Sequence, residues 1–350
     1  MFYIQDSSYS LADVKSKSLN FIANTKLDDW ETVFWSFLKD WFSEEFETIS
    51  VKTSGSTGKP KTILHKKEYM KASARMTCNF FELNNQKTAL LCLPANTIGG
   101  IMMIVRALES GMNLIVQKPN SNPLANLDRK IDFAAMVPFQ VQQTFEMNKT
   151  AFQKLDTIII GGGTISTNLE NEIKKAGLKA YSTFGMTETI SHIALNKIGE
   201  NKVYNALDNV EFSLSKENTL IINAPKIGIN DLETNDLVDL LSKTEMLWLG
   251  RKDNAIETGG FKILPETVEE KLFPFVQKPF IISSIPDVLL NNKLVLIIES
   301  EAFDFDTKIF DKLLSKYEIP KQIFFVKDFI YTQNGKIDRR NTQKLVFNIE

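Results

Sequence analysis

The chain has 350 residues, 43% of them hydrophobic and 24% charged, which is the composition of an ordinary globular protein. This length favours two or more domains. The 41 basic and 43 acidic residues give a net charge of −2, so electrostatics offers no support for binding to nucleic acid or to a membrane surface. The most apolar stretch, residues 89–105, is interrupted by proline, asparagine and glycine, so we expect no membrane span.

The N-terminus lacks the basic head and the long apolar run of a secretory signal. The two cysteines, Cys78 and Cys92, are too few for a disulfide framework. We therefore expect a protein of the reducing cytoplasm. The first predicted element is a helix over residues 30–46, where apolar side chains from Trp30 to Phe42 recur at helical spacing.

The most informative segment covers residues 53–61, Thr-Ser-Gly-Ser-Thr-Gly-Lys-Pro-Lys, after a strand predicted over residues 48–53. Glycines let backbone N–H groups approach an anion, hydroxyls donate to phosphate oxygens, and lysines supply charge. This pattern predicts a phosphate-binding loop. It is not a Walker A loop, because only two residues separate Gly55 from Gly58 and a proline follows Lys59. The alternative is an ordinary polar surface loop.

Strands and helices alternate from residue 88 to residue 183. The predicted strands cover 88–93, 113–117, 133–137, 156–160 and 179–183, and the predicted helices cover 98–110, 123–130, 138–148 and 167–176. This rhythm predicts an α/β fold with a mostly parallel sheet covered by helices. Ligands in such sheets bind beyond the carboxyl ends of strands, where Gly161, Gly162, Gly163 and residues 184–189 are expected to lie.

The pattern changes after residue 190. Short strands predicted over 210–214, 219–223, 237–241 and 246–249 indicate a small antiparallel subdomain. Beyond Asp253, helices over 265–273 and 306–316 and strands over 280–285, 294–299 and 323–326 indicate a small α+β domain. We therefore expect an N-terminal domain of residues 1–252 and a C-terminal domain of residues 253–350.

Two acidic residues are candidates for contacts with a nucleotide and its metal ion. Glu188 follows a buried strand among hydroxyls, which suits a Mg²⁺ ligand, and nearby Phe184 offers a flat face for a base. Asp236 begins a strand and could accept hydrogen bonds from the hydroxyls of a ribose. Each has a plainer alternative, a solvated glutamate and a turn aspartate respectively.

Two further segments lie near the expected C-terminal domain. Arg251 and Asp253 precede the Gly259-Gly260 pair, and a charged junction beside glycines is a place for a hinge. The alternatives are a surface ion pair and a hairpin turn. Lys336 follows an Asn-Gly turn, where most lysines are simply solvated.

Taken together and in this order, these segments resemble the signature motifs of the acyl-adenylate-forming superfamily. That family contains acyl-CoA synthetases, firefly luciferase and the adenylation domains of peptide synthetases. The resemblance spans residues 53 to 340, and around residues 183–192 it is similar to o-succinylbenzoate–CoA ligases of menaquinone synthesis. It implies that a carboxylic acid is joined to AMP from ATP, with release of pyrophosphate, and then transferred to the thiol of coenzyme A.

The resemblance also implies the roles of individual residues. Phosphate binding falls to Thr53, Ser54, Gly55, Ser56, Thr57, Gly58 and Lys59, and adenine binding to Gly161, Gly162, Gly163, Phe184 and Gly185. Thr187 would contact the α-phosphate, Glu188 would bind Mg²⁺, Asp236 and Arg251 would hold the ribose, and Lys336 would bridge the attacking carboxylate and the α-phosphate. A hinge at Asp253 would exchange Lys336 for Gly259, Gly260 and Lys262 in the thioester step.

The chain departs from the family pattern in two ways. The phosphate loop begins unusually early, so the helix over residues 30–46, or a homodimer interface, would cover sheet that is otherwise exposed. Thr97 stands where the family usually has a histidine. For the acyl pocket, Arg106 is a candidate partner for a second carboxylate, although a snorkelling surface arginine is the alternative. Ser191 and His192 are further candidates, and His192 is equally compatible with a structural role.

Three rival functions stay open at this point. One is a ligase for another aryl or medium-chain acid, and another is an adenylation domain that charges a carrier protein. The third is a non-catalytic nucleotide sensor, against which the presence of both Lys336 and Glu188 argues.

Overall fold

The computed structural model describes residues 1–5, 7–22, 29–53, 61–276, 278–331 and 337–347. The chain divides into two compact units. The first comprises Met1–Ile165, Asn171–Glu211 and Ile222–Asp231, and the second comprises Ser166–Glu170, Phe212–Ile221 and Leu232–Glu350. The expected domain boundary after residue 252 lies within the second unit and stays a prediction.

The first unit contains a sheet flanked by helices. The strands of this unit are β1 (Phe2–Ile4), β2 (Ser7–Tyr9), β3 (Thr48–Lys52), β4 (Thr62–Lys66), β5 (Thr88–Leu91), β6 (Asn113–Val116), β7 (Ile131–Met136), β8 (Leu155–Ile160), β9 (Lys179–Gly185), β10 (His192–Lys197) and β11 (Val203–Ala206). Strands β3 and β4 form a separate two-stranded sheet. The helices of this unit are α1 (Leu11–Leu19), α2 (Asp29–Phe42), α3 (Lys67–Phe80), α4 (Ile98–Ser110), α5 (Pro138–Asn148) and α6 (Thr167–Lys175), although the first four residues of α6 belong to the second unit.

The large sheet has the order β11-β10-β9-β8-β7-β5-β6-β1-β2 within this unit. All pairs from β9 to β1 are parallel, and the outer pairs are antiparallel. Strands such as β7 and β8 are buried almost along their whole length, because helices cover both faces of a parallel sheet. The predicted α/β class with a mostly parallel sheet is confirmed.

Local signals set the bounds of two predicted helices. The Thr97 hydroxyl accepts from the backbone N–H of Gly100 at the start of α4, and Gly111 ends that helix at φ +75°. Pro138 opens α5, where its missing N–H costs nothing.

Two predicted helices differ from the structure. Residues 123–130 form turns instead of a helix, with weak bonds from Ala125 N to Asn122 O and from Leu127 N to Leu124 O. The helix expected over residues 306–316 shortens to α8 (Lys308–Leu313), because the Glu318 carboxylate accepts from the N–H of Ser315 and starts a new turn there.

The N-terminal residues extend the sheet, which the sequence did not predict. β1 pairs in parallel with β6 and continues into the antiparallel edge strand β2. Trp35 of α2 is buried and contacts Tyr9 of β2 edge-on, with ring centroids 5.9 Å apart. The helix expected over residues 30–46 is confirmed as α2, four residues shorter at its C-terminal end. A homodimer stays a prediction.

The second unit is built mainly from antiparallel strands. The remaining elements of the chain, which lie wholly or partly in this unit, are β12 (Glu211–Leu214), β13 (Thr219–Ala224), β14 (Ile229–Ser242), β15 (Glu245–Arg251), β16 (Ile256–Thr258), β17 (Phe261–Ile263), α7 (Pro265–Leu272), β18 (Phe280–Asp287), β19 (Asn291–Glu299), α8, β20 (Gln322–Val326) and α9 (Arg339–Val346). Strands β12 to β15 are neighbours in that order, and β18, β19 and β20 form a separate sheet. Along the described ranges of the whole chain, every helix is too short or too polar to cross a membrane.

Candidate active site

A tight turn follows β9 and presents Thr187 and Glu188. The hydroxyl of buried Thr189 accepts from the N–H of Met186 at 2.9 Å and donates to the carbonyl of Ser191 at 2.8 Å. Ile190 has φ +67°, a strained conformation for a β-branched residue that the surrounding packing must impose. Sequence analysis assigned no role to Thr189 or Ile190, yet they shape this turn.

Glu188 is exposed at the apex of the turn, and its carboxylate has no hydrogen-bond or ion-pair partner in the described parts of the chain. No group of three or more His, Cys, Asp and Glu side chains among the described residues is arranged to hold a metal. A single free carboxylate fits Mg²⁺, which commonly binds one or two carboxylates and takes its other ligands from phosphates and water.

His65 lies behind the same turn, and sequence analysis missed it. Its side chain on β4 is buried, and its Nε2 atom has no hydrogen-bond partner within the described ranges. Burial lowers the pKa of His65, while the Thr187 backbone and the Glu188 charge oppose that shift. One histidine in a strand carries no periodic signal, so only the fold could bring it to this turn.

The predicted adenine-binding glycines form the turn after β8. A Cβ at Gly161 would lie 2.3 Å from the Thr183 hydroxyl of the neighbouring strand, so a larger residue there would displace that side chain. Gly162 has φ +84°, which favours glycine. A Cβ at Gly185 would collide with the Ser191 carbonyl, so this position too needs glycine. The ring of Phe184 lies on β9, 5.9 Å from Tyr204 between centroids.

The predicted phosphate loop is described only at its base. The N–H of Thr53 donates to the Lys61 carbonyl at 2.8 Å, and the Thr53 hydroxyl accepts from the Lys61 N–H at 2.9 Å. These bonds continue the β3–β4 hairpin and draw the two ends of the loop together. The other predicted phosphate ligands lie outside the described residues, as does Lys336: they are Ser54, Gly55, Ser56, Thr57, Gly58 and Lys59.

The structure brings together three of the predicted acyl-pocket residues. Arg106 on α4 is 1% exposed, so its alternative as a snorkelling surface residue is wrong. One of its nitrogens, Nη2, donates to the Ser191 hydroxyl at 2.5 Å and lies 3.5 Å from Nδ1 of His192. The fourth candidate, Thr97, caps α4 and also donates to the Pro94 carbonyl at 2.8 Å, and its role in the acyl pocket stays a prediction.

Arg106 carries a buried charge without a carboxylate partner in the described part of the chain. Nη1 reaches only the Met103 sulfur at 3.6 Å, and Nε has no partner there. Nearby Glu109 pairs with Arg75 instead. Burial lowers the pKa of Arg106 to about 10, which leaves the guanidinium charged at neutral pH.

His192 stands behind Arg106 and contacts α3. Its Nε2 lies 3.2 Å from the hydroxyl of buried Thr77. Because Nδ1 faces a guanidinium donor, Nδ1 is best an acceptor, and the proton then resides on Nε2. Burial and the charge of Arg106 hold the pKa of His192 well below 6.5, so the ring is neutral.

In the second unit, the predicted ribose ligand Asp236 is buried on β14. Its Oδ1 accepts from Nε1 of Trp248 at 2.9 Å, and its N–H donates to the Thr234 hydroxyl. Burial raises the pKa of Asp236, and the Trp248 bond and the charge of Arg251 oppose that rise. Trp248 was not predicted, because a tryptophan in a strand usually serves only the core.

Arg251 and Asp253, the predicted second ribose ligand and the predicted hinge residue, form a bidentate ion pair. Nε and Nη2 of Arg251 lie 2.9 and 3.0 Å from the two carboxylate oxygens. This bond raises the pKa of Arg251. Asn254 of the same turn donates to the carboxylate of Glu266 on α7. The turn is therefore held on both sides by side chains of its own unit.

The glycines predicted for the thioester step form the β16–β17 turn. Gly259 and Gly260 have φ +56° and +82°, the left-handed region that favours glycine. Lys262 is exposed on β17.

Three comparisons place the chain among known proteins. The AMP-binding enzyme family matches residues 51–220. The 2-succinylbenzoate–CoA ligase of Listeria monocytogenes is 25% identical over 322 residues, covering 83% of this chain and 68% of its own. The O-succinylbenzoate coenzyme A synthetase of Bacillus subtilis, solved with ATP and magnesium ion, is 19% identical. The match covers 91% of this chain and 78% of that one with a TM-score of 0.75, so the two proteins share a fold.

One solved structure matches this chain over almost the whole length of both proteins. An acyl-CoA synthetase (AMP-forming)/AMP-acid ligase II-like protein from Dyadobacter fermentans is 32% identical. The match covers 95% of this chain and 98% of that one, with a TM-score of 0.62. The chain therefore belongs to the AMP-forming acyl-CoA synthetases of the acyl-adenylate-forming superfamily.

Proposed function

We propose that this protein is a 2-succinylbenzoate–CoA ligase that uses ATP and Mg²⁺. The acid is first converted to an acyl adenylate with release of pyrophosphate, and the acyl group then passes to the thiol of coenzyme A. The observation that carries the choice of acid is Arg106, a buried cation without a carboxylate partner in the described residues.

Burying an unpaired charge costs several kcal/mol, so a protein keeps one where a ligand compensates it. A second carboxylate on the substrate is such a ligand, because a guanidinium binds carboxylates through parallel hydrogen bonds. The Ser191 hydroxyl and neutral His192 orient the guanidinium without neutralising it. An acid with only one carboxylate would leave Arg106 uncompensated, and 2-succinylbenzoate carries two.

For the adenylation step, the exposed carboxylate of Glu188 would hold Mg²⁺, which neutralises charge on the departing pyrophosphate when bound. Thr53 and residues 54–59 would bind phosphates, the glycine turn and Phe184 would accept adenine, and Asp236 with Arg251 would hold ribose hydroxyls. Lys336 would place a fixed cation between the attacking carboxylate and the α-phosphate, which lowers the barrier between two anions.

For the thioester step, Asp253 would act as the hinge that removes Lys336 and brings in the turn of Gly259 and Gly260. The Arg251–Asp253 pair and the Asn254–Glu266 bond support a defined starting position for this hinge. We place the enzyme in the cytoplasm, where its two free, buried thiols would stay reduced.

The test is a screen of carboxylic acids for AMP release with coenzyme A present. It includes 2-succinylbenzoate and two analogues, each lacking one of its carboxylates. We expect 2-succinylbenzoate to have the highest kcat/KM. If an analogue that keeps only the reacting carboxylate were used equally well, the choice of acid would be wrong, although ligase activity would stand.

A further inference from the structure

A buried ion pair in the second unit joins helix α7 to the first residue of helix α9. Glu269 on α7 is 6% exposed, and its Oε2 atom accepts from Nη2 of Arg339 at 2.5 Å. The other carboxylate oxygen, Oε1, accepts from the backbone N–H of Ile282 on β18 at 2.6 Å. Nη1 of Arg339 donates to the carbonyl of the same Ile282 at 3.2 Å. These three hydrogen bonds form a closed ring that fixes α7, β18 and α9 to one another.

The two charges of this pair depend on each other. Burial raises the pKa of the Glu269 carboxyl, and the charge of Arg339 and its hydrogen bond oppose that rise. Burial also acts to lower the pKa of Arg339, but the charge of Glu269 raises it above the ordinary value. An apolar pair of similar volume would often serve the stability of a fold equally well. What the charged pair adds is direction, because its hydrogen bonds set where α9 begins.

The start of α9 matters because it follows the predicted catalytic lysine. Lys336 itself lies outside the described residues, and Arg339 comes three positions later in the sequence. Before Lys336, Tyr331 forms an isolated antiparallel bridge with Ile337, and its hydroxyl donates to the Glu299 carboxylate at 2.7 Å. The described residues on both sides of Lys336 are therefore fixed to the second unit.

Helix α7 also contacts the predicted hinge, one turn before Glu269. The Glu266 carboxylate accepts from the side chain of Asn254, which follows Asp253. Because positions 266 and 269 are three residues apart, both carboxylates lie on one side of α7. The predicted hinge and the residue that begins α9 are therefore attached to the same helix.

We propose that Glu269 and Arg339 are positioning residues for the adenylation step. They act through Lys336, because they hold the part of the chain from which its ammonium extends toward the developing charge. A catalytic group misplaced by about 1 Å can lose about 100-fold in rate, so such an anchor has a kinetic effect. This inference rests on the proposed function of Lys336 and names what places that residue. It concerns adenylation alone, since Lys336 has no assigned part in the thioester step.

The test compares the wild-type chain with the double variant Glu269→Met/Arg339→Met, which removes the ring of hydrogen bonds and keeps apolar volume. The matched control, Glu270→Met/Arg340→Met, removes the same two charges from exposed neighbours on the same helices. Lys336→Ala is the reference for loss of the ammonium. Adenylation is measured as acid-dependent pyrophosphate exchange, and the second step as thioester formation from preformed acyl adenylate and coenzyme A. Urea unfolding compares the stability of all the variants.

We expect the Glu269/Arg339 double variant to lower kcat for exchange at least about tenfold, with the KM for ATP and the rate of thioester formation within about twofold of the control. Its stability should stay close to that of the control, because no buried charge is left unpaired. Arg339→Lys keeps the ion pair without the planar fork, so it should lower exchange by a smaller factor, about threefold, and spare thioester formation.

Equal losses in exchange and in thioester formation, in either Arg339 variant, would overturn the assignment, since a residue that serves only the fold affects both steps. Exchange equal to that of the control would overturn it as well. If Lys336→Ala lowers exchange and the Glu269/Arg339 variants do not, the proposed function stands and this inference alone fails. If Lys336→Ala leaves exchange unchanged, the role proposed for Lys336 fails together with the inference.

Discussion

Two arginines, Arg106 and Arg251, differ in burial, in ion-pair partner and in the direction of their pKa shift. Arg106 in the first unit is 1% exposed, has only neutral partners among the described residues, and burial lowers its pKa. The side chain of Arg251 in the second unit is 32% exposed and pairs with Asp253, which raises its pKa. A charge without a protein counterion is available to a ligand, whereas a paired charge must exchange its partner. The first arrangement suits selection of an acid, and the second suits a residue coupled to movement.

The largest expected effect comes from Arg106→Met, which keeps volume and removes the charge. We expect kcat/KM for 2-succinylbenzoate to fall about 100-fold, because a desolvated charged contact contributes roughly 2–3 kcal/mol. The free energy of unfolding of the ligand-free protein should hold or rise, because the variant no longer buries an unpaired cation. Steady-state kinetics and urea unfolding measure the two effects.

Arg106→Lys is the control for charge without the planar fork, and it should recover part of the activity. An equally large loss for an analogue with one carboxylate would mean that Arg106 acts on the fold and not on the second carboxylate.

The next effect concerns the partner of Arg251. Asp253→Pro restricts the backbone at the predicted hinge, so thioester formation from acyl adenylate should fall at least about tenfold, while pyrophosphate exchange stays within about twofold. Asp253→Ala, the control, removes the ion pair but leaves the backbone free to rotate. Unimpaired overall turnover of the proline variant would refute the hinge assignment.

Substitution of Arg251 should weaken the binding of ATP. For Arg251→Met we expect the KM for ATP to rise about tenfold, equivalent to about 1.4 kcal/mol. The free energy of unfolding should fall by less than about 1 kcal/mol, because the ion pair with Asp253 is partly exposed. Pyrophosphate exchange at varied ATP concentration checks the first number. A larger loss of stability than of ATP affinity would make the residue structural.

The smallest expected effect is a pH dependence of the free energy of unfolding, and it arises from His192, which contacts Arg106. The pKa of His192 is well below 6.5 in the folded protein, so the unfolded chain binds more protons below that pH. The stability contributed by this neutral histidine is full above pH 6.5 and is lost as the pH falls below it. His192→Gln removes this dependence, so its stability relative to the wild type should improve by about 1 kcal/mol between pH 7.5 and pH 5.5.

Urea unfolding of both proteins at several pH values measures that difference. The second histidine, His65, has a lowered pKa of the same sign but is present in both proteins, so its contribution cancels. Parallel stability curves would show that His192 is already solvated, contrary to its burial between Thr77 and Arg106.

Local sequence patterns were enough to predict an element wherever the residues that begin and end it lie within that segment. Helices α4 and α5 match their predicted bounds because a threonine cap, a left-handed glycine and a first-turn proline act within a few residues. The alternation of buried strands with helices was sufficient for the α/β class. The order of the motifs from residue 53 to residue 340 was sufficient for the family. Strands β1 and β2 were missed because three residues are too few to show a period.

The sequence by itself therefore determined the class of fold, the family and the presence of an arginine within an apolar helix. Only the tertiary structure decided that Arg106 points inward to Ser191 and His192, that Asp253 holds Arg251, and that His65 lies behind the Glu188 turn. The physical reason is that cap, turn and periodic signals act between near neighbours. The burial and pairing of a charge depend on residues as far as 86 positions away, which no local pattern encodes.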